Sequence, residues 1–339
     1  VWTPDGKSIV FCRAGAKDPV GAPIFYRDVP LAPAVTRPGE IRPLDEGVVP
    51  SIKWRLRDLA ATESRVVLEH MPTCANCHSF SRDGRALGMD IDGPQGDKGT
   101  YALAAIGERV SIDYPDLITW NDFEAKPEGH KTIGFLSRIS PDGRRAVTTV
   151  NEALFVTNFP DYRYLQVFYP TRGILAWTEK GGDGIHALPG ADDDAYVHCD
   201  PVWTPDGKSI VFCRAGAKDP YVPGRPLPTR PNDPNETPIQ YDLYRIPFAD
   251  GRGGEATPIP GASSNGWSNT FPKVSPNGKW VVYVRCKNGQ LMRPDGKLMI
   301  VPIEGGEPRL MACNTDNMNS WHSWSPNSRW MVFSSKQDS

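Results

Sequence analysis

Short runs rich in Val, Ile, Phe, Tyr and Trp recur along this chain, apolar at every second position or throughout, with turn-forming residues between them. ALGMDI, RAVTTV, SIVFC, KWVVYV and RWMVF are examples. An apolar stripe of helical period almost nowhere persists for three turns, so the pattern predicts strands. The fold class expected is all-β.

A second pattern sets the phase of those strands. Ser or Thr, a corner residue that is Pro in four of the copies, Asp or Asn, and then Gly or Ser begin at Ser81, Ser140, Thr204, Ser275 and Ser325, each just before an apolar run. Pro presets φ at one corner of a turn and Gly accepts positive φ at the next, so each copy predicts a hairpin. The copies stand about 50 to 70 residues apart, close to the period of a four-stranded propeller blade with long loops. The turn with its preceding aromatic, as in VWTPDGKSIVF and HSWSPNSRWMVF, resembles the TolB-type propeller repeat. That resemblance implies a TolB-like β-propeller of five to six blades, the turn joining the innermost strand of each blade to the second.

A further copy opens the chain, where residues 1–19 are identical to residues 202–220. Diverged repeats keep turn residues and apolar pattern but not every surface position. The identity therefore points to a very recent duplication or to a sequence wrongly assigned to this segment, and no function is rested on Trp2 or Cys12. Beyond it, Pro23, Pro30, Pro33, Pro38, Pro43 and Pro50 break any period. Proline cannot donate to a sheet ladder, so an extended arm over the propeller is expected. The organisation expected is an N-terminal segment and Pro-rich arm over 1–70 and a propeller over 71–339.

Charge narrows the partners. The 339 residues carry 38 Lys and Arg against 40 Asp and Glu, a net charge of −2, without a basic run. Nucleic acid and anionic membrane surfaces are therefore not expected partners. No apolar stretch approaches the roughly 20 residues of a spanning helix.

The candidate chemistry lies in Cys74, Ala75, Asn76, Cys77 and His78, which spell C-x-x-C-H, the attachment signal for a c-type haem. Two thiols three positions apart can each add to one vinyl group of a porphyrin, and the histidine that follows becomes the proximal iron ligand. A redox dithiol would open a helix after a strand, whereas MPTCANCHSFSRDG runs into a strand and turn. A structural zinc site would need a second C-x-x-C or H-x-x-x-H pair, which the sequence lacks. One covalent haem c is expected. Cys12, Cys199, Cys213, Cys286 and Cys313 remain, an odd number without framework spacing, so at least one free thiol is expected. Covalent haem attachment takes place outside the cytoplasm, which predicts a periplasmic or extracellular bacterial protein with a targeting segment upstream of Val1.

His78 and His322 each stand five residues before the Asp or Asn of a turn, a register shared by Ser137, Pro201 and Pro272. Equivalent places on two blades would let them face one another across a haem at the central channel. His322 is therefore the first candidate for the distal ligand, with His198, His70 and Met71 behind it and an open sixth position as a further alternative. Phe80, Trp321 and Trp324 flank the site and are expected to pack on the porphyrin. Asp90, Asp92 and Asp97 in DIDGPQGDKG resemble a calcium loop but lack the closing Glu of an EF-hand, so a solvated turn is expected.

CANCHSFSRDG together with LQVFYPTRGILAW, NETPIQYDLYRIPF and MNSWHSWSPNSRWMVFSSK resembles a family of secreted bacterial TolB-like propellers that carry one c-type haem motif. The resemblance implies fold and cofactor. The function expected is a monohaem c-type cytochrome that passes single electrons to a redox protein or to a multi-cytochrome or membrane complex. Two alternatives stay open: a haem-bearing scaffold subunit of a larger electron-transfer or extracellular assembly, and a haem enzyme with an open distal site acting on peroxide or a nitrogen oxide.

Overall fold

The computed structural model describes residues 11–12, 23–29, 47–59, 61–71, 73, 75–108, 110–159, 164 and 166–336. Strand β1 (Phe11–Cys12) is followed by β2 (Ile24–Asp28), β3 (Lys53–Arg57) and β4 (Arg65–Leu68), the last three forming one antiparallel sheet. A four-stranded sheet of β5 (Ala75–Phe80), β6 (Ala86–Ile91), β7 (Thr100–Ala105) and β8 (Leu117–Thr119) comes next. Strands β9 (Phe135–Ile139), β10 (Arg145–Asn158), β11 (Gln166–Glu179) and β12 (Ile185–Ala187) run up and down. So do β13 (Tyr196–Trp203), β14 (Ser209–Gly216), β15 (Asp242–Pro247) and β16 (Thr257–Pro258), and one parallel bridge, Gly173 to Val197, joins the two runs into an eight-stranded sheet. A four-stranded sheet of β17 (Ser268–Val274), β18 (Trp280–Cys286), β19 (Lys297–Pro302) and β20 (Arg309–Leu310) follows. The last sheet pairs β21 (Asn319–Trp324) and β22 (Met331–Ser335) with β1, Phe11 standing opposite Val332. Helix among the described residues is limited to short 3₁₀ turns, so the all-β expectation holds.

The stretch expected to lie as an extended arm instead contributes β2 to β4. Phe25 and Trp54 face one cluster, each in a strand of only five residues, too short to carry a clear period. Residues 30–46, with Pro30, Pro33, Pro38 and Pro43, lie outside the described residues, as does most of the copy at 1–19.

All five turns use one hydrogen-bond box. The hydroxyl of Ser81, Ser140, Thr204, Ser275 or Ser325 donates to the Asp or Asn two residues on, at 2.5 to 2.7 Å. Each also accepts the backbone N–H five residues on, at 2.9 to 3.0 Å. Positive φ follows at Gly84, Gly143, Gly207, Gly278 and, without a glycine, Ser328. The Ser328 hydroxyl has its own use, accepting the Asn277 N–H of the neighbouring turn at 2.9 Å.

Six residues before the Asp or Asn of each turn, the ladder breaks in the same way. Cys77, Leu136, Asp200, Phe271 and Trp321 all have φ between 42 and 58°, and the pairing register slips at each place. A non-glycine residue there costs on the order of 1 kcal/mol or more, so surrounding contacts must hold it. A bulge of this kind re-aims side chains. Four of the five bulged residues gather in one cluster, where Leu136 and Phe271 are buried and Cys77 and Trp321 pack against them. The next residue along turns sideways to the preceding sheet. Ser137 accepts the Trp120 indole N–H at 3.1 Å, and His322 donates through Nε2 to the Val282 carbonyl at 3.0 Å.

Candidate functional site

His78 follows this rule and faces the β2–β4 sheet. Its half-buried ring meets Phe25, Trp54 and Phe80 edge-on, with centroids 4.8, 5.0 and 5.9 Å away, and bonds the backbone of Phe25. Burial, reinforced by Arg138, Lys273 and Arg27, pushes its pKa down to about 3. The imidazole is therefore neutral at physiological pH, the form that binds a metal.

Cys77 is a free thiol that packs with the central cluster. Burial first, and the Asp90 carboxylate second, push it up to about 12. Asp90 is itself raised to about 7 by burial, against hydrogen bonds from Ser137 and Cys77. Two basic side chains stand beside this pair. Arg138 donates to the Cys77 carbonyl at 3.4 Å, and both Arg138 and Lys273 lie over the Phe271 ring, at 5.9 and 4.4 Å. Burial together with Arg138 holds the Lys273 amine well below its usual range. Arg138 and Lys273 were not singled out by sequence reasoning. Arg138 and Lys273 occupy the same register position, four before the turn acid or amide, and a register table of the five repeats would have placed them together.

Cys74 lies outside the described residues. The described donors are compatible in their chemistry with a covalently held haem: a free thiol, an adjacent neutral imidazole, an aromatic wall, and the Arg138 guanidinium, able to offset a propionate. The directions of the side chains differ from a loaded site, because the bulge sends Cys77 to the central cluster and His78 to the aromatic nest.

The distal candidates separate. His322 is 1 % exposed and committed to Val282, with its other nitrogen buried and unpartnered. It does occupy the place equivalent to His78, but both rings point to their preceding sheets and so do not face a common space. His198 is buried and stacked on Phe212 at 5.5 Å, with neither ring nitrogen hydrogen-bonded. His70 projects into solvent beside Glu69. Met71 alone among these candidates joins the cluster of Trp54 and Phe25 on which His78 sits.

The expected aromatic flank divides in the same manner, since Phe80 touches His78 whereas Trp321 and Trp324 pack on the side of Cys77. Nor do the acidic loop residues converge. Asp97 bonds Gly99, Thr100, Thr119 and Asn121, Asp92 pairs with Lys98, and Asp90 is turned inward to Cys77. The solvated turn expected here thus holds for only part of the loop. Of the remaining cysteines, Cys199, Cys213 and Cys286 are free and Cys313 is disulfide-bonded.

No protein-family model matches the chain, and no curated protein matches it. Among solved structures it is similar to a TolB-like protein of Agrobacterium tumefaciens at 15% identity, over 80% of this chain and 94% of that one, with a TM-score of 0.38. It is similar too to the oligogalacturonate lyase of Vibrio parahaemolyticus, at 9% identity over 93% and 94% of the two chains and a TM-score of 0.42. A prolyl endopeptidase shares 12% identity over 86% of this chain but only 42% of its own, with a TM-score of 0.45. These neighbours include TolB-like propeller proteins and assign no activity.

Proposed function

We propose that this chain is a monohaem c-type cytochrome built on a TolB-like propeller of six blades, with β1 completing the last blade, and that it exchanges single electrons with a redox partner in the periplasm or outside the cell. The observation that carries the reading is the run Cys74 to His78, with the His78 imidazole held neutral between Phe25, Trp54 and Phe80. When bound, haem c supplies a one-electron couple whose potential follows its axial ligands and burial. Cys74 and Cys77 would hold it by thioethers and His78 by its ring nitrogen. Met71, packed on the same aromatic cluster, would be the candidate for a second iron ligand. The Arg138 guanidinium offsets negative charge beside Cys77. Phe80, 40% exposed and in contact with His78, brings the site to the surface where a partner can approach.

Expression in a periplasm with haem-attachment machinery should give a coloured protein whose mass exceeds its polypeptide by one haem, with the colour surviving acid–acetone extraction. Cys77→Ala should weaken that attachment, and Met71→Ala should let carbon monoxide bind the reduced protein. A colourless product with alkylatable Cys74 and Cys77 would remove the reading.

A further inference from the structure

We propose that Cys199, Asp200 and Cys213 form a buried three-donor site for a thiophilic divalent cation, zinc being the closest match. Their ligand atoms, two sulfurs and a carboxylate oxygen, all lie within 4.8 Å of one another, and they are the one such group among the described residues. Two sulfurs at about 2.3 Å from a tetrahedral zinc stand about 3.8 Å apart, so the donors need to close by at most about 1 Å.

The strands build this convergence. Cys199 on β13 stands directly opposite Cys213 on β14, and the bulge at Asp200, φ 53°, swings its carboxylate in beside them. Asp200 is 4 % exposed, yet only Oδ2 is occupied, accepting the Phe271 N–H at 3.3 Å and the Cys213 S–H at 3.6 Å. Oδ1 is buried without a partner. An orphaned carboxylate oxygen beside two thiols is costly in an apolar core and is accounted for by a cation. Binding releases the two thiol protons to solvent, leaving two thiolates, one carboxylate and a divalent ion with a net charge of −1. Arg138 lies near enough to Asp200 to balance that charge. Both cysteines are 0% exposed, so the ion is taken up as the chain folds rather than exchanged afterwards.

The test uses the full chain made without haem attachment, so that its outcome is independent of the proposed cytochrome role. Purified under reducing, chelator-free conditions, the protein should hold one equivalent of zinc. Refolded with Co²⁺ alone, it should show thiolate-to-cobalt charge transfer and tetrahedral ligand-field bands. Asp200→Asn, which keeps the side-chain shape and both thiols, should weaken Co²⁺ binding by about tenfold or more, and Cys286→Ser should leave the bands unchanged. A folded protein that takes up neither metal, bands indifferent to Asp200→Asn, or Cys199 and Cys213 recovered from the native protein as a disulfide would each overturn the proposal.

Discussion

His198 shows how a single ring nitrogen couples folding to acidity. It is fully buried against Phe212, and burial followed by Arg214 lowers its pKa to about 4. The folded state therefore binds fewer protons than the unfolded state between about pH 6.5 and pH 4, so this residue costs stability as pH falls through that window and the cost levels off below it. At pH 5 the cost is about 2 kcal/mol. His198→Phe keeps the stacked ring and should unfold at higher urea than the parent, by a margin that grows from pH 7 to pH 4.5. An equal margin at both pH values would show that the proton is not the cause. At this scale the site was partly legible in advance. The shared register of His78 and His322 was real, whereas the spacing of Cys74, Cys77 and His78 supports a proposal only. The direction of the rings was hidden, because the bulge is set by cross-strand pairing and alternation from the sequence alone cannot show it.

Among the elements, the turn box was readable because its chemistry is local: a hydroxyl, an acid or amide, and a residue that accepts positive φ. Ser275 is 0% exposed and serves both Asn277 and the Trp280 N–H. Ser275→Ala should cost about 1 to 2 kcal/mol in urea unfolding, whereas Ser275→Thr, which keeps the hydroxyl, should lose much less. Tryptophans three residues before a turn acid or amide act between sheets. Trp203 donates to the Arg138 carbonyl at 3.3 Å, and Trp324 to that of Lys273 at 3.1 Å. The two carbonyls hold the same register position, so these indoles are equivalent latches. Trp203→Phe should destabilise the protein by about 1 kcal/mol beyond the loss of buried surface, which a comparison with Trp203→Leu would separate. Cys199 and Cys213 escaped notice because spacing searches look along the chain, whereas the hairpin brings positions fourteen apart face to face.

For the whole molecule, the pairing of β1 with β22 ties the two ends of the chain together. Deleting residues 1–22 exposes the edge of β22 and should lower the midpoint of thermal unfolding and increase aggregation. A truncated protein with an unchanged melt would mean that this pairing contributes nothing. Strands β2 to β4 are the part of the architecture least visible in the sequence, each only four or five residues long.

The bridge from Gly173 to Val197 gives the β9–β12 and β13–β16 runs a common hydrogen-bonded seam. The outer half of the β10–β11 hairpin reinforces it, since Phe155 and Tyr169 sit in the same core as Val197, Cys213 and Tyr283. Amide deuteration should therefore divide the molecule unevenly: protons of β10, β11, β13 and β14 exchanging late and together, those of β2 to β4 early. A fold made of look-alike repeats would thus come apart from one side, with residues 145–216 as its last intact piece.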